Sequence, residues 1–230
     1  MKIQDLIIMV STKQFIHVRD RELEHEKIIG DLVSKARKLY PKVNRNNYTF
    51  SSPNPKYSYR KGTSYKIIFR SADKDLLIGV IEAVKRLTFL DNISEYSDVI
   101  STKLNIYDVK QSRRFTLTKD MALFHTHRKQ VGYFQHKENN VKKRLSYLAI
   151  KRYNNYTGQN QPLDTPIFKW VALKRGKSQN LPQTTVFGGS LAFLDTPLAM
   201  KISKFIVHAG FSDEGYKSGF LDANADYNSL

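Results

Sequence analysis

The first hundred residues switch between two hydrophobic periods in one order, and few folds accept that order. Leu6-Ile7-Ile8-Met9-Val10 is short, apolar and rich in branched side chains, which is the pattern of a buried strand. From Glu22 to Leu39 the apolar residues Ile28, Ile29, Leu32, Val33, Ala36 and Leu39 recur at helical spacing, and Pro41 ends the run. Tyr48–Ser52 reads as a strand closed by the Pro53–Pro55 turn, and Tyr65–Phe69 as the next strand. Asp73 suits the N-cap of a second helix whose Leu76, Leu77, Val80, Ile81 and Val84 recur at intervals of three and four. A further strand falls within Val99–Val109.

The order β-α-β-β-α-β is the ferredoxin-like pattern, so the expected class is α+β. Residues 1–110 are expected to form a ferredoxin-like domain, and residues 111–230 a basic C-terminal domain of helices and strands. Thr118–Lys137 and Asn140–Tyr153 read as helical segments. In the second, Val141, Leu145 and Leu148 share one side, while Lys143, Tyr147 and Lys151 repeat every four residues on another, flanked by Arg144 and Arg152. Beyond polar Asn154–Asp164, strands are expected at Phe168–Leu173, Thr185–Phe193 and Lys204–Val207. No internal sequence repeat stands out.

Charge narrows the partner. Between Arg113 and Arg152 lie eleven Lys and Arg residues opposed by Asp120 and Glu138 alone, which is +9 of the chain's +17. Phe115, Phe124, Tyr133, Phe134, Tyr147 and Tyr153 are interleaved with them. Solvated helices ordinarily mix signs, and a one-signed window beside planar side chains suits a polyanion whose bases stack. Membrane docking would instead want a basic amphipathic helix with a coherent apolar face. RNA is therefore the expected partner, with Arg128 and Lys129 in the same window, and no membrane contact is expected.

With no cysteine in the chain, thiol nucleophiles, disulfides and Cys-ligated zinc are excluded. That composition fits a reducing, cytoplasmic setting. His125-Thr126-His127 with His136 lacks a completing carboxylate or Cys set, so no metal or other cofactor is expected. His208 reads as a packed, hydrogen-bonded core residue. The Gly210–Gly215 segment is no nucleotide fingerprint, because no GxGxxG or Walker pattern follows a strand.

Several segments together resemble the CRISPR precursor-RNA endoribonucleases, in particular the subtype I-F type, within the repeat-associated ferredoxin-like RNA-binding superfamily. Tyr48-Thr49-Phe50-Ser51-Ser52-Pro53, Gly62 to Arg70 and Ser71-Ala72-Asp73 are similar to that family's second strand, hairpin and start of second helix. Gln111-Ser112-Arg113-Arg114-Phe115 resembles its basic linker, and Val141–Arg152 its arginine-rich helix. Trp170–Lys174 resembles the strand before its active-site serine loop, and Ala209-Gly210-Phe211-Ser212 its C-terminal glycine loop.

The resemblance implies metal-independent cleavage of a repeat hairpin. The ribose 2′-hydroxyl attacks the scissile phosphate, a histidine acts as general base, and the product guide RNA is retained within an effector complex. It implies base reading by Arg113 and Arg114 and phosphate contacts from Lys142, Lys143, Arg144, Lys151 and Arg152, with Tyr147 available to stack. It also implies a phosphate cradle at Lys174, Arg175 and Lys177 beside Ser178. The family's histidine would fall near Lys35–Lys38, where this chain has Lys35, Ala36, Arg37 and Lys38. His25, at the start of that helix, is the first replacement and His17 the second. Phe115 stands where a base-reading glutamine is expected. Two alternatives remain: a non-catalytic guide-RNA-binding subunit of an effector complex, and a structured-RNA-binding protein unrelated to CRISPR.

Overall fold

Strand β1 (Lys2–Thr12) is buried on one face and half-buried on the other along Leu6–Val10, which explains its unbroken apolar run. Leu6, Ile8 and Val10 are fully buried toward two helices, while Ile7 and Met9 are half-buried on the opposite face. The computed structural model of the chain describes residues 1–43, 46–53, 57–88, 91, 93–109, 114–122, 124–127, 130–133, 138–177, 185–211 and 218–223, and of 118–140, 174–188 and 218 the backbone. β1 pairs antiparallel with β3 (Ser64–Ser71) and β4 (Ser97–Asp108), and β2 (Tyr48–Phe50) borders β3, giving the order β2-β3-β1-β4.

Helices α1 (Arg21–Leu39) and α2 (Lys74–Lys85) cover one face of this sheet. Ile28, Leu32 and Ala36 of α1 and Leu76, Val80 and Ala83 of α2 share a core with Leu6, Ile8, Ile67 and Phe69. The Asp73 carboxylate caps α2 by accepting the backbone N–H of Asp75 at 3.0 Å and of Leu76 at 3.3 Å. Gly79 marks the closest approach of the two helices, since a Cβ there would lie 3.0 Å from Ala36 Cβ. The ferredoxin-like reading of the first half holds strand for strand.

The second half repeats that topology without repeating the sequence. Its order is β5 (Phe115–Ala122), α3 (Glu138–Thr157), β8 (Phe168–Lys177), β9 (Thr185–Phe193), α4 (Pro197–Ala209) and β10 (Ser218–Asp222), with a hairpin of β6 (Phe124–His127) and β7 (Gln130–Tyr133) inserted after β5. The sheet order β10-β5-β9-β8, with every pairing antiparallel, matches β4-β1-β3-β2 of the first half. Phe115, Val141, Leu145, Val171, Leu191, Ile202 and Ile206 build the second core.

Two elements differ from expectation. Thr118–Lys137 was expected to be helical; its described backbone is the end of β5 and the β6–β7 hairpin, in which Phe124 pairs with Tyr133 and His127 with Gln130. The β-branched and aromatic side chains of this stretch, Thr126, Val131, Phe124 and Tyr133 among them, favour strands. Lys204–Val207 was expected to be a strand and lies inside α4. That helix opens with Thr196, whose Oγ1 accepts the Ala199 N–H, followed by Pro197 in the first turn. It contacts strands of both sheets and keeps only a narrow polar strip with Lys201 and Lys204 exposed, so the consecutive apolar Phe205-Ile206-Val207 reads as a strand.

The two halves are joined through buried polar groups. Arg70 of β3 has a side chain only 1% exposed, and its Nε donates to Asp5 Oδ1 at 2.5 Å. Its Nη1 donates to the Leu221 carbonyl at 2.5 Å and its Nη2 to Tyr107 Oη at 3.1 Å, with the guanidinium 4.2 Å from the Phe220 ring centroid. Tyr107 in turn donates to Asp5 Oδ2 at 3.1 Å, and burial pushes its phenol up to about 12. Nearby, Thr49 Oγ1 donates to the Gly219 carbonyl at 3.0 Å.

His208 of α4 joins the halves as a neutral imidazole. Its Nδ1 donates to the Lys204 carbonyl at 2.7 Å, and its Nε2 accepts the Gln4 N–H at 3.2 Å. Burial lowers its pKa below the ordinary 6.5, and Arg70 and Lys204 push the same way while Asp5 and the Lys204 carbonyl oppose. The unfolded chain therefore binds the extra proton first. This group's stabilisation is complete above pH 6.5 and is lost as pH falls toward the lower folded value. Urea unfolding at pH 7.5, 6.5 and 5.5 should show stability falling with acid more steeply in the native protein than in His208→Gln. No described helix is long and apolar enough to cross a membrane.

Candidate nucleic-acid interface

Helix α3 forms because Val141, Leu145, Ala149 and Tyr153 make a continuous buried stripe against the second sheet and α4. Its opposite side carries charge. Lys143 and Lys151 are exposed and Tyr147 is half-buried between them. The Arg144 guanidinium lies 5.0 Å from the Tyr147 ring centroid, and Lys151 Nζ lies 5.8 Å from the same centroid. One aromatic ring thus holds two cations, each about one turn away along the helix on either side of it. Lys142 points aside, its Nζ donating to the Lys169 carbonyl at 3.2 Å and so tying α3 to β8.

Arg114 and Trp170 form a second planar element. Arg114, exposed just before β5, donates from Nε and Nη2 to Ser190 Oγ at 3.0 and 2.8 Å. Its guanidinium sits 5.2 Å from the Trp170 ring centroid. Arg114 had a sequence signal; its partners did not. Trp170, the chain's single tryptophan, is half-buried on β8, and Ser190 is buried on β9 directly opposite Thr116 and Ala172. Only strand register brings them together, and no local pattern could have announced it.

Arg152 corrects the expectation of a stem-phosphate contact. Its Nη1 donates to the carbonyls of Ala209 and Gly210, both at 2.7 Å, and its Nη2 donates to the Asn46 carbonyl at 2.8 Å. These oxygens belong to the end of α4 and to the loop before β2, so Arg152 fastens the halves together. Lys174, Arg175 and Lys177 are also placed differently. They lie within β8, paired with Gly188, Phe187 and Thr185 of β9, rather than in a loop beyond it. Arg113, Arg128, Lys129 and Ser178 lie outside the described residues, as do His136 and Ser212–Lys217.

The two histidines proposed for proton transfer occupy opposite environments. His25 is 0% exposed on α1, its ring stacked on Tyr65 at 5.1 Å between centroids with an interplanar angle of 3°. Tyr65 stacks in turn on Tyr59 at 4.5 Å, so the imidazole belongs to the first core. An enclosed ring cannot reach a ribose hydroxyl, and the preference for His25 as the general base is corrected on that ground. His17 is exposed in the loop between β1 and α1, where its Nδ1 accepts the Arg19 N–H at 3.3 Å. Among the described residues no group of three or more His, Asp or Glu could hold a metal ion.

The fold can be matched to known structures. A solved structure described as CRISPR associated protein Cas6 superposes with a TM-score of 0.63 at 11% identity, over 98% of this chain and all of that one. One described as an RAMP protein binding different RNA substrates gives 0.62 at 14% identity, over 95% of this chain and 99% of its own. A Cas6-related protein from Pyrococcus furiosus gives 0.59 at 13% identity, over 98% and 100%. No protein-family model and no curated protein matches the chain. The chain has the α+β, ferredoxin-like fold of these Cas6 and RAMP structures.

Proposed function

We propose that the protein binds the hairpin of a CRISPR repeat transcript and cleaves it without a metal, through attack of a ribose 2′-hydroxyl. The products would be a 2′,3′-cyclic phosphate end and a guide RNA that stays bound, available to effector-complex subunits. The carrying observation is α3, where Lys143, Arg144 and Lys151 are arrayed around Tyr147 on a fold shared with Cas6 structures. Cations two turns apart on one helix side, roughly 10–12 Å, suit phosphates along a stem backbone, whereas the Arg114–Trp170 pair offers planar groups to a base.

The test combines binding and cleavage. Labelled repeat hairpin is incubated with the protein in EDTA, and affinity is measured across a salt series. The native protein should bind and cleave, and deoxy substitution of the attacking ribose should stop cleavage but not binding. Lys143→Ala/Lys151→Ala should weaken binding at least tenfold and lower the slope of log affinity against log salt by about 1–2, as expected when two phosphate contacts are lost. Unchanged affinity and slope would remove α3 from the interface.

A second reading, a non-catalytic guide-RNA subunit, is favoured by the burial of His25 and by the lack of histidine at Lys35–Lys38. Tight hairpin binding with no cleavage under these conditions would select it.

A further inference from the structure

The end of the first sheet farthest from the second half carries exposed aromatics that neither core uses. The loop after β1 and the loop before β3 are stitched together there. Ile16 and Tyr59 exchange backbone hydrogen bonds, both at 2.9 Å. The Val18 N–H donates to Ser58 Oγ at 3.1 Å, and Arg21 Nε donates to the Val18 carbonyl at 3.1 Å. Below them, Thr12 Oγ1 donates to the Arg60 carbonyl at 2.5 Å. Ile16 and Tyr59 point inward, 3% and 0% exposed, and anchor the pair of loops.

What points outward is different. Phe15 is 57% exposed and Tyr57 62% exposed, and His17, Arg19, Arg60 and Lys61 of the same two loops are exposed as well. The bridge register sets Phe15 beside Arg60 and Val18 beside Tyr57. Residues 12–21 and 57–63 hold Lys13, Arg19, Arg21, Arg60 and Lys61. Lys13 pairs with Asp98 at 3.2 Å, Arg19 faces Asp20 at 3.8 Å and Arg21 is buried, so Arg19, Arg60 and Lys61 carry the outward charge. The acids that follow turn to internal partners, Glu22 to the Ser52 hydroxyl and Glu24 to that of Ser94. Aromatic rings left in water on a hydrogen-bonded scaffold, rimmed by cations, match how single-stranded nucleic acid is held: rings stack on bases and cations track the backbone.

We infer that this lobe binds a single-stranded stretch of RNA, with Phe15 and Tyr57 as stacking platforms and Arg19, Arg60 and Lys61 on its phosphates. It takes its ligand class from the RNA-binding reading above, but depends neither on hairpin recognition nor on cleavage. From Asp5, which anchors the second half, β1 runs roughly 20 Å to Thr12 at the base of the lobe. The lobe is thus set apart from the junction of the halves, as a platform for the unpaired flank of a structured RNA.

Three labelled RNAs test the inference by fluorescence anisotropy: a blunt hairpin, the same hairpin with an unpaired flank on either side, and a ten-nucleotide single strand. Phe15→Ala/Tyr57→Ala alters only exposed side chains, and an unchanged melting temperature verifies the fold. This variant should lose at least tenfold in affinity for the flanked hairpin and the single strand, and keep native affinity for the blunt hairpin. Lys143→Ala/Lys151→Ala should weaken both hairpins. If the native protein binds the single strand through Phe15 and Tyr57 but ignores hairpins, the lobe stands and the hairpin reading falls. Equal affinities of the Phe15/Tyr57 variant and the native protein for all three RNAs would overturn the inference, as would equal losses on all three. A variant unchanged on RNA but altered in self-association would overturn it too and give the surface to protein contacts.

Discussion

Arg70→Met should destabilise the protein by about 3–5 kcal/mol, because it removes one partner of a buried ion pair and leaves the other. Asp5 would keep the Tyr107 hydroxyl but lose its cation, the Leu221 carbonyl would lose its donor, and Phe220 would lose the guanidinium stacked on it. At the usual scaling for chains of this size, the melting temperature should fall by roughly 6–20 °C. Removing both charges is the informative control. Asp5→Leu/Arg70→Met takes away the unpaired carboxylate as well, so it should be more stable than Arg70→Met. A double variant no better than the single would show that the hydrogen bonds to Leu221 and Tyr107, rather than the ion pair, carry the effect. If Arg70→Met melts within a degree or two of the native protein, the joint between the halves does not depend on this network.

That network also shows where sequence reading stops. The first half was legible because each element has its own period: the run Leu6–Val10, the stripes of α1 and α2, and the cap at Asp73 are local patterns with local causes. Helix α3 was legible for the same reason, its apolar side being Val141, Leu145 and Leu148. The topology of the second half was not. Helix α4 contacts both sheets and keeps only a narrow exposed strip at Lys201 and Lys204, so its run Phe205-Ile206-Val207 reads as a strand. The residues around Thr118–Lys137 mix charge with β-forming side chains so that neither period dominates. Among the site residues, α3 announced its cations through spacing. The sequence could not show that Arg152 would turn back onto the carbonyls of Ala209, Gly210 and Asn46, since a long basic side chain looks the same whether it faces a phosphate or a peptide oxygen. The same limit hid the difference between His17 and His25, eight positions apart and opposite in exposure.

That difference makes the two histidines the sharpest test of catalysis. His17→Ala should lower the rate of hairpin cleavage by about 10²–10⁴-fold while leaving hairpin affinity within about threefold, as for a lost proton-transfer group. His25→Phe preserves the planar stack on Tyr65 and should cleave at a near-native rate. Because Nδ1 accepts the Arg19 N–H, the neutral ring carries its proton on Nε2. Either catalytic role requires that bond to open: as an acid toward the departing 5′-oxygen the ring must first take a second proton on Nδ1, and as a base toward the 2′-hydroxyl it must present an unprotonated nitrogen. A substrate with sulfur in place of that 5′-oxygen leaves as a thiolate and needs no proton. The His17→Ala defect should therefore shrink to less than tenfold on the sulfur substrate if His17 is the acid, and persist in full if it is the base. A native cleavage rate in His17→Ala, or a rate abolished in a stably folded His25→Phe, would show that His17 is not the proton-transfer group.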